Sequence, residues 1–139
     1  MIRNCKPLSL LACLLLALVL LAGCGGKLPD TIDSNAVKDT ATKASEYVTA
    51  RDYEALNLLF PAEYQTQLTA EMWSEPLNPI LDELGAFTEF KEMQLVAQEV
   101  QETEVVFALA NTTYANGTCV WAIQFDAYGN LLGVYINQY

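Results

Sequence analysis

The chain has 139 residues, of which 17 are acidic and 7 basic, with a formal net charge of −10 and no histidine. A balance this acidic repels nucleic acid and anionic lipid head groups, which excludes functions built on broad phosphate contact. The lack of histidine excludes serine–histidine and cysteine–histidine catalysis and removes the commonest metal ligand.

The first predicted element lies at the N-terminus. Arg3 and Lys6 precede an uncharged run from Pro7 to Gly26, whose continuously apolar part is Leu10 to Ala22. That part is shorter than the roughly 20 residues a helix needs to cross a bilayer, and a basic flank before a short apolar centre is the pattern of an export signal. At its end, Leu21-Ala22-Gly23-Cys24 resembles the bacterial lipobox. Small residues there leave room for a peptidase, and the thiol of Cys24 can take a diacylglycerol through a thioether. One acyl chain is a marginal anchor at about 0.8 kcal/mol per buried CH₂, whereas two hold stably. Residues 1 to 23 are therefore expected to be a lipoprotein signal peptide and Cys24 the lipidated, palmitate-type anchor residue. The protein is expected outside the cytoplasm, held to the bacterial cell membrane.

Residues 24 to 33, with the run "GGKLPDTID", hold glycine, proline and polar residues without apolar periodicity, and read as the anchor and a tether. Loss of residues 1 to 23 removes Cys5 and Cys13 and leaves five basic residues against 17 acidic ones. Cys24 is assigned to lipid, so Cys119, in an apolar alternating stretch, is expected as a buried inert thiol without a disulfide. The remainder suits one domain, 34 to 139, standing on a hydrophobic core. Its acidity favours solubility beside a membrane and a cationic partner.

Helical patterning begins at Ser34: Val37, Ala41, Ala44 and Val48 recur at three- and four-residue spacing, with Asp33 or Ser34 as N-cap. A second short helix is predicted over "DYEALNLLF", capped by Asp52 and followed by Pro61. In "LTAEMWSEPLNPILDELG", Thr69 caps a turn, Met72 and Trp73 are expected to face inward, and Gly85 ends the last turn. Pro76 and Pro79 are expected to break this segment or begin a new turn. The first half thus reads as three modest helical pieces.

After Gly85 the period changes to two. "FKEMQLVAQEV", "TEVVFALANTTY", "TCVWAIQF" and "LLGVYINQY" alternate and carry β-branched and aromatic residues, as strands do. Asn116-Gly117 suggests a type I′ turn, which needs positive φ at both residues. That turn would set Tyr114 across from Cys119, Thr112 from Trp121 and Ala110 from Ile123. One face would then carry Val106, Ala108, Ala110, Trp121, Ile123 and Phe125, large side chains opposing small ones to interlock a core or line a pocket. With "FDAYGN" as the next turn, the strands form a meander of about four, and helices followed by antiparallel strands indicate an α+β layer fold on a curved sheet.

Three stretches, "YVTARDYEALNLLF" with Tyr53, "LTAEMWSEPLNPILDELGAF" with Trp73 and Gly85-Ala86-Phe87, and "IQFDAYGNLLGVYI", carry a resemblance across almost all of this domain. It resembles the cone-shaped fold of ketosteroid-isomerase-like and nuclear-transport-factor-like proteins, and more closely an uncharacterised domain family of bacterial lipoproteins within that superfamily. The resemblance implies helices on a curled antiparallel sheet. It leaves function open, because such members range from isomerases to pure binding modules. Related lipoprotein domains are sometimes joined to a hydrolase domain, which implies an accessory role; these 139 residues include no hydrolase.

Ketosteroid isomerase works with a carboxylate base, a tyrosine and a protonated aspartate. Tyr47, Tyr53, Tyr64, Tyr114, Tyr135 and Asp126 are the matching residue types here, but none lies in a matching motif, and Asp126 reads as a turn former bonding its own backbone. Asp82-Glu83 and Glu99, Glu102 and Glu104 lack the spacing of a calcium loop, so no metal is expected. Asn111 and Asn116 fit a glycosylation sequon but read better as strand and turn residues in a bacterial protein. Trp73, Trp121, Tyr135 and Tyr139 are read first as core. Tyr53, Trp73, Trp121 and Tyr135 are the candidate pocket lining if the cone is open. The expectation is a non-enzymatic ligand-binding or accessory domain without cofactor, with a small-molecule isomerase or dehydratase, and a homodimeric module, as the alternatives.

Overall fold

Asp33 starts the first helix, α1 (Ser34–Ala50), by accepting hydrogen bonds from the Asn35 and Ala36 backbone amides at 3.0 and 3.2 Å. The computed structural model describes residues 27 to 138; the segment expected to be a signal peptide and Cys24 lie outside them. Val37, Ala41, Ala44, Ser45 and Val48 form the buried stripe of α1, at the spacing that puts side chains on one helical face. Arg51, in the left-handed conformation, closes the helix. Asp52 caps α2 (Tyr53–Asn57) and a one-turn helix α3 (Ala62–Gln65) follows. The helical half therefore has four pieces among the described residues rather than the expected three.

Thr69 caps α4 (Ala70–Leu84), which runs without interruption through Pro76 and Pro79. The expected break at these prolines does not occur. Each removes one amide donor, to the carbonyl four residues earlier, and those carbonyls belong to Met72 and Glu75, both exposed like the prolines themselves. The opposite side, with Leu77, Leu81 and Leu84, is buried, so tertiary packing holds the helix. Met72 is also corrected: it is exposed, because the buried stripe runs through Leu77, Leu81 and Leu84 and passes beside it.

Gly85 stops α4 at φ +78°. A β-carbon there would lie 2.9 Å from Asn116 Nδ2, so positive φ and close approach both select glycine. The chain then makes β1 (Phe87–Val100), β2 (Thr103–Tyr114), β3 (Gly117–Asp126) and β4 (Leu131–Gln138), an antiparallel meander in the order β1-β2-β3-β4. Pairing of β2 with β3 is continuous, whereas β1 against β2 and β4 against β3 each shift register twice. Such bulges bend a strand and increase its twist, and they curve the outer parts of the sheet.

The β2–β3 register differs from the expected one. Tyr114 pairs with Gly117 and Thr112 with Cys119, so Ala115 and Asn116 form the turn, and neither has positive φ. The reason lies in α4: the Ala115 and Asn116 amides donate to the Ala86 and Leu84 carbonyls at 2.8 and 2.9 Å, and Asn116 Nδ2 donates to the Glu83 carbonyl. The turn thus satisfies carbonyls at the end of the helix that its own ladder cannot reach. The register also sets Ala110 opposite Trp121 and Ala108 opposite Ile123, giving the large rings room.

Helices cover one face of the sheet. Its core joins Val37, Ala41, Ala44 and Val48 of α1 to Val106, Ala108, Ala110, Trp121, Ile123 and Phe125. On the other face a second cluster holds Val96, Val105, Phe107, Leu109 and Ala122. Part of the expected tether also belongs to the domain. Leu28 and Ile32 pack against the main core, and the Thr31 hydroxyl donates to the Ala127 carbonyl in the β3–β4 turn.

Candidate functional site

The site with most to test is the space between helices and sheet, where the expected pocket residues would converge. Trp121 reaches it from the middle of β3 with no exposed surface. Its Nε1 donates to the Tyr114 hydroxyl at 3.1 Å, and that hydroxyl lies 2.9 Å from Thr49 Oγ1 on α1. Phe87 packs its ring edge-on against Tyr114, with centroids 5.9 Å apart. Each polar atom placed here by an aromatic side chain is satisfied by another protein atom, which is what burial demands.

The adjoining interior is apolar or self-paired. Ser45 Oγ donates back to the Ala41 carbonyl and Thr112 Oγ1 to the Cys119 carbonyl. Burial pushes the Cys119 thiol up to about 12, with the neighbouring Thr112 side chain opposing less strongly. The expected buried and free Cys119 is found, and such a thiol stays protonated and unreactive.

Tyr53 and Trp73 belong to the helical layer. The Tyr53 hydroxyl donates to Asn78 Oδ1 at 2.6 Å, and Trp73 Nε1 donates to Asn57 Oδ1 at 2.6 Å. Residues 53 and 57 lie one turn apart on α2, as the i, i+4 relation requires, so these two bonds tie α2 antiparallel to α4. Burial raises the Tyr53 pKa, and Asp82 adds to this while the cation of Arg51 works against it. Trp73 is half-buried and packs on Phe60 with ring centroids 5.8 Å apart.

Tyr135 does not join the other three. It pairs with Ala122, next to Trp121 along β3, so alternation sends it to the face opposite the described helices. There its ring occupies the space above Gly133, where a β-carbon would come within 2.6 Å of the phenolic oxygen, and burial raises its pKa. The candidate set is therefore divided between the core, the helical layer and the opposite side of the sheet.

Asp126 is a turn residue, as its sequence context indicates. Its Oδ1 accepts from the Tyr128 and Asn130 amides at 2.9 Å each, and Oδ2 accepts from Asn130 Nδ2 at 3.0 Å. Desolvation pushes its pKa up, but the bonds from Asn130, Tyr128 and Gly129 together outweigh it and hold the carboxyl below its ordinary value. A carboxylate spent on its own loop has no free base to offer a substrate. Glu99 and Glu104 face each other across the β1–β2 hairpin, with Glu102 in its turn. Among the described residues no group of three or more such side chains is arranged to hold a metal.

One surface feature escaped the sequence reading. Leu58, Tyr64 and Met72 are large apolar residues exposed by 71%, 42% and 54%; Leu58 and Met72 adjoin Asn57 and Trp73, whose hydrogen bond joins α2 to α4, and Tyr64 adjoins Gln65, which donates to the Phe60 carbonyl. The signal available in the sequence was the run from Asp52 to Phe90, which holds eight acidic residues and no basic one.

Among solved structures, an NMR structure of a protein from Ruminococcus gnavus is similar to this chain, with 25% identity and a TM-score of 0.63. The likeness covers 78% of this chain and 95% of that one. No protein-family model and no curated protein matches the chain.

Proposed function

We propose that this chain is a bacterial lipoprotein, exported by residues 1 to 23 and held outside the cytoplasm by lipid on Cys24, whose α+β domain is a non-enzymatic binding or accessory module. Its helices on one face of a four-stranded meander support the resemblance to the ketosteroid-isomerase-like cone fold. The observation that carries the non-enzymatic reading is the filled interior. Trp121 occupies the middle of the space with its nitrogen, the Tyr114 hydroxyl and Thr49 satisfying one another. An isomerase or dehydratase needs a carboxylate poised inside a pocket, whereas Asp126 closes a surface turn.

Anchoring is tested by metabolic labelling: wild-type protein should take up radioactive palmitate and stay with membranes, and Cys24→Ser should do neither. Label retained by Cys24→Ser would defeat the lipid assignment. The non-enzymatic reading fails if the protein turns over a small-molecule substrate and loses that activity in Asp126→Asn or Tyr53→Phe.

A further inference from the structure

We infer that the α2–α4 end of the helical layer is a docking surface for a cationic amphipathic segment of a partner protein. The inference rests on the non-enzymatic binding reading and names the chemistry of what is bound. Leu58, Tyr64 and Met72 stand exposed around one knot of contacts. Asn57, next to Leu58, accepts from Trp73, next to Met72. Gln65, next to Tyr64, donates through Nε2 to the Phe60 carbonyl at 2.8 Å, and the Phe60 ring packs on Trp73. The knot holds α2, α3 and α4 together and fixes where the three side chains emerge.

Charge selects the occupant. Glu54 is one turn before Leu58, Glu63 adjoins Tyr64 and Glu71 adjoins Met72, and all three glutamates are exposed. No lysine or arginine occurs between residues 52 and 90, and Arg51 at the border pairs with Asp82 at the far end of α4. Apolar side chains rimmed by acid alone complement a segment with apolar side chains flanked by lysine or arginine. The same rim repels an anionic lipid surface, which argues for a protein partner over the membrane to which the chain is proposed to be anchored.

The test uses the full chain in phosphatidylcholine nanodiscs, with empty nanodiscs as reference, and a synthetic helical peptide of leucine on one face and lysine on the other. Peptide should slow hydrogen exchange over residues 54 to 75. The Leu58→Ser/Met72→Ser variant should weaken binding by about tenfold or more, as losing two buried apolar side chains requires, with exchange elsewhere unchanged. A Glu99→Gln/Glu104→Gln variant, altered at the distant hairpin, should bind as wild type does. Three results overturn the inference. They are protection spread evenly over acidic surface, unchanged affinity of the Leu58→Ser/Met72→Ser variant, and protection of residues 54 to 75 by phosphatidylglycerol nanodiscs without peptide. Each leaves the non-enzymatic reading intact, since that reading is decided by turnover.

Discussion

Trp121 and Asp126 show how single residues divide packing from chemistry. Because Trp121 is completely enclosed, replacing it with alanine removes its contacts, opens a cavity and leaves the Tyr114 hydroxyl without its donor. Large-to-small core substitutions of this kind cost about 3–5 kcal/mol. Trp121→Ala should therefore lower stability by that order in chemical denaturation, and a loss below about 0.5 kcal/mol, within the range of surface changes, would mean an open pocket instead. Asp126 predicts a pH dependence whose sign follows from its lowered folded pKa. The unfolded carboxyl, near pH 3.9, binds its proton at higher pH than the folded one, so the contribution is fully present above that value and is lost as pH falls through the folded pKa. The stability difference between wild type and Asp126→Ala should shrink below about pH 4. A difference that stays constant from neutral pH to the acid limit would remove this role.

At the scale of elements, the two hairpins of the central strands reverse what their sequences suggest. Asn116-Gly117 holds the familiar turn dipeptide, yet the turn forms one residue earlier at negative φ because its amides serve the end of α4. The β1–β2 turn has no such dipeptide, and Gln101 and Glu102 adopt φ values of +51° and +65°. Side chains beyond glycine and asparagine pay in strain for that conformation. Replacing the pair with Asn-Gly should stabilise the fold by roughly 1 kcal/mol, read as a higher melting temperature; a lower one would contradict the turn geometry. The prolines of α4 follow the same rule as the Asn116 turn, since packing of the far helical face outweighs a local preference.

For the whole molecule, acidity is the dominant electrostatic fact: among residues 27 to 138 the 17 carboxylates face five cations. The three ion pairs among these residues have exposed partners and contribute little. Self-repulsion should therefore be relieved by salt, whose screening length is about 10 Å at 0.1 M. Melting temperature should rise with sodium chloride from low ionic strength, and a fall would show that the pairs dominate. Much of this architecture was legible in the chain. Apolar spacing placed α1 and the four strands, and alternation assigned Trp121, Ile123 and Phe125 to one face even though the expected register was displaced. A displacement that keeps odd and even positions apart leaves each side chain on its own side of the sheet. The candidate site was less legible: sequence gathered Tyr53, Trp73, Trp121 and Tyr135 by residue type, and the fold distributed them over separate surroundings. Periodicity, charge and the lipobox pattern are properties of neighbouring residues, so the sequence by itself determined element types, buried faces and the expected export. Turn register, the continuity of α4 and the exposure of Met72 were decided only in the tertiary structure. There, carbonyls at the end of a helix find donors, and a helical face finds or lacks a partner, among residues far away along the chain.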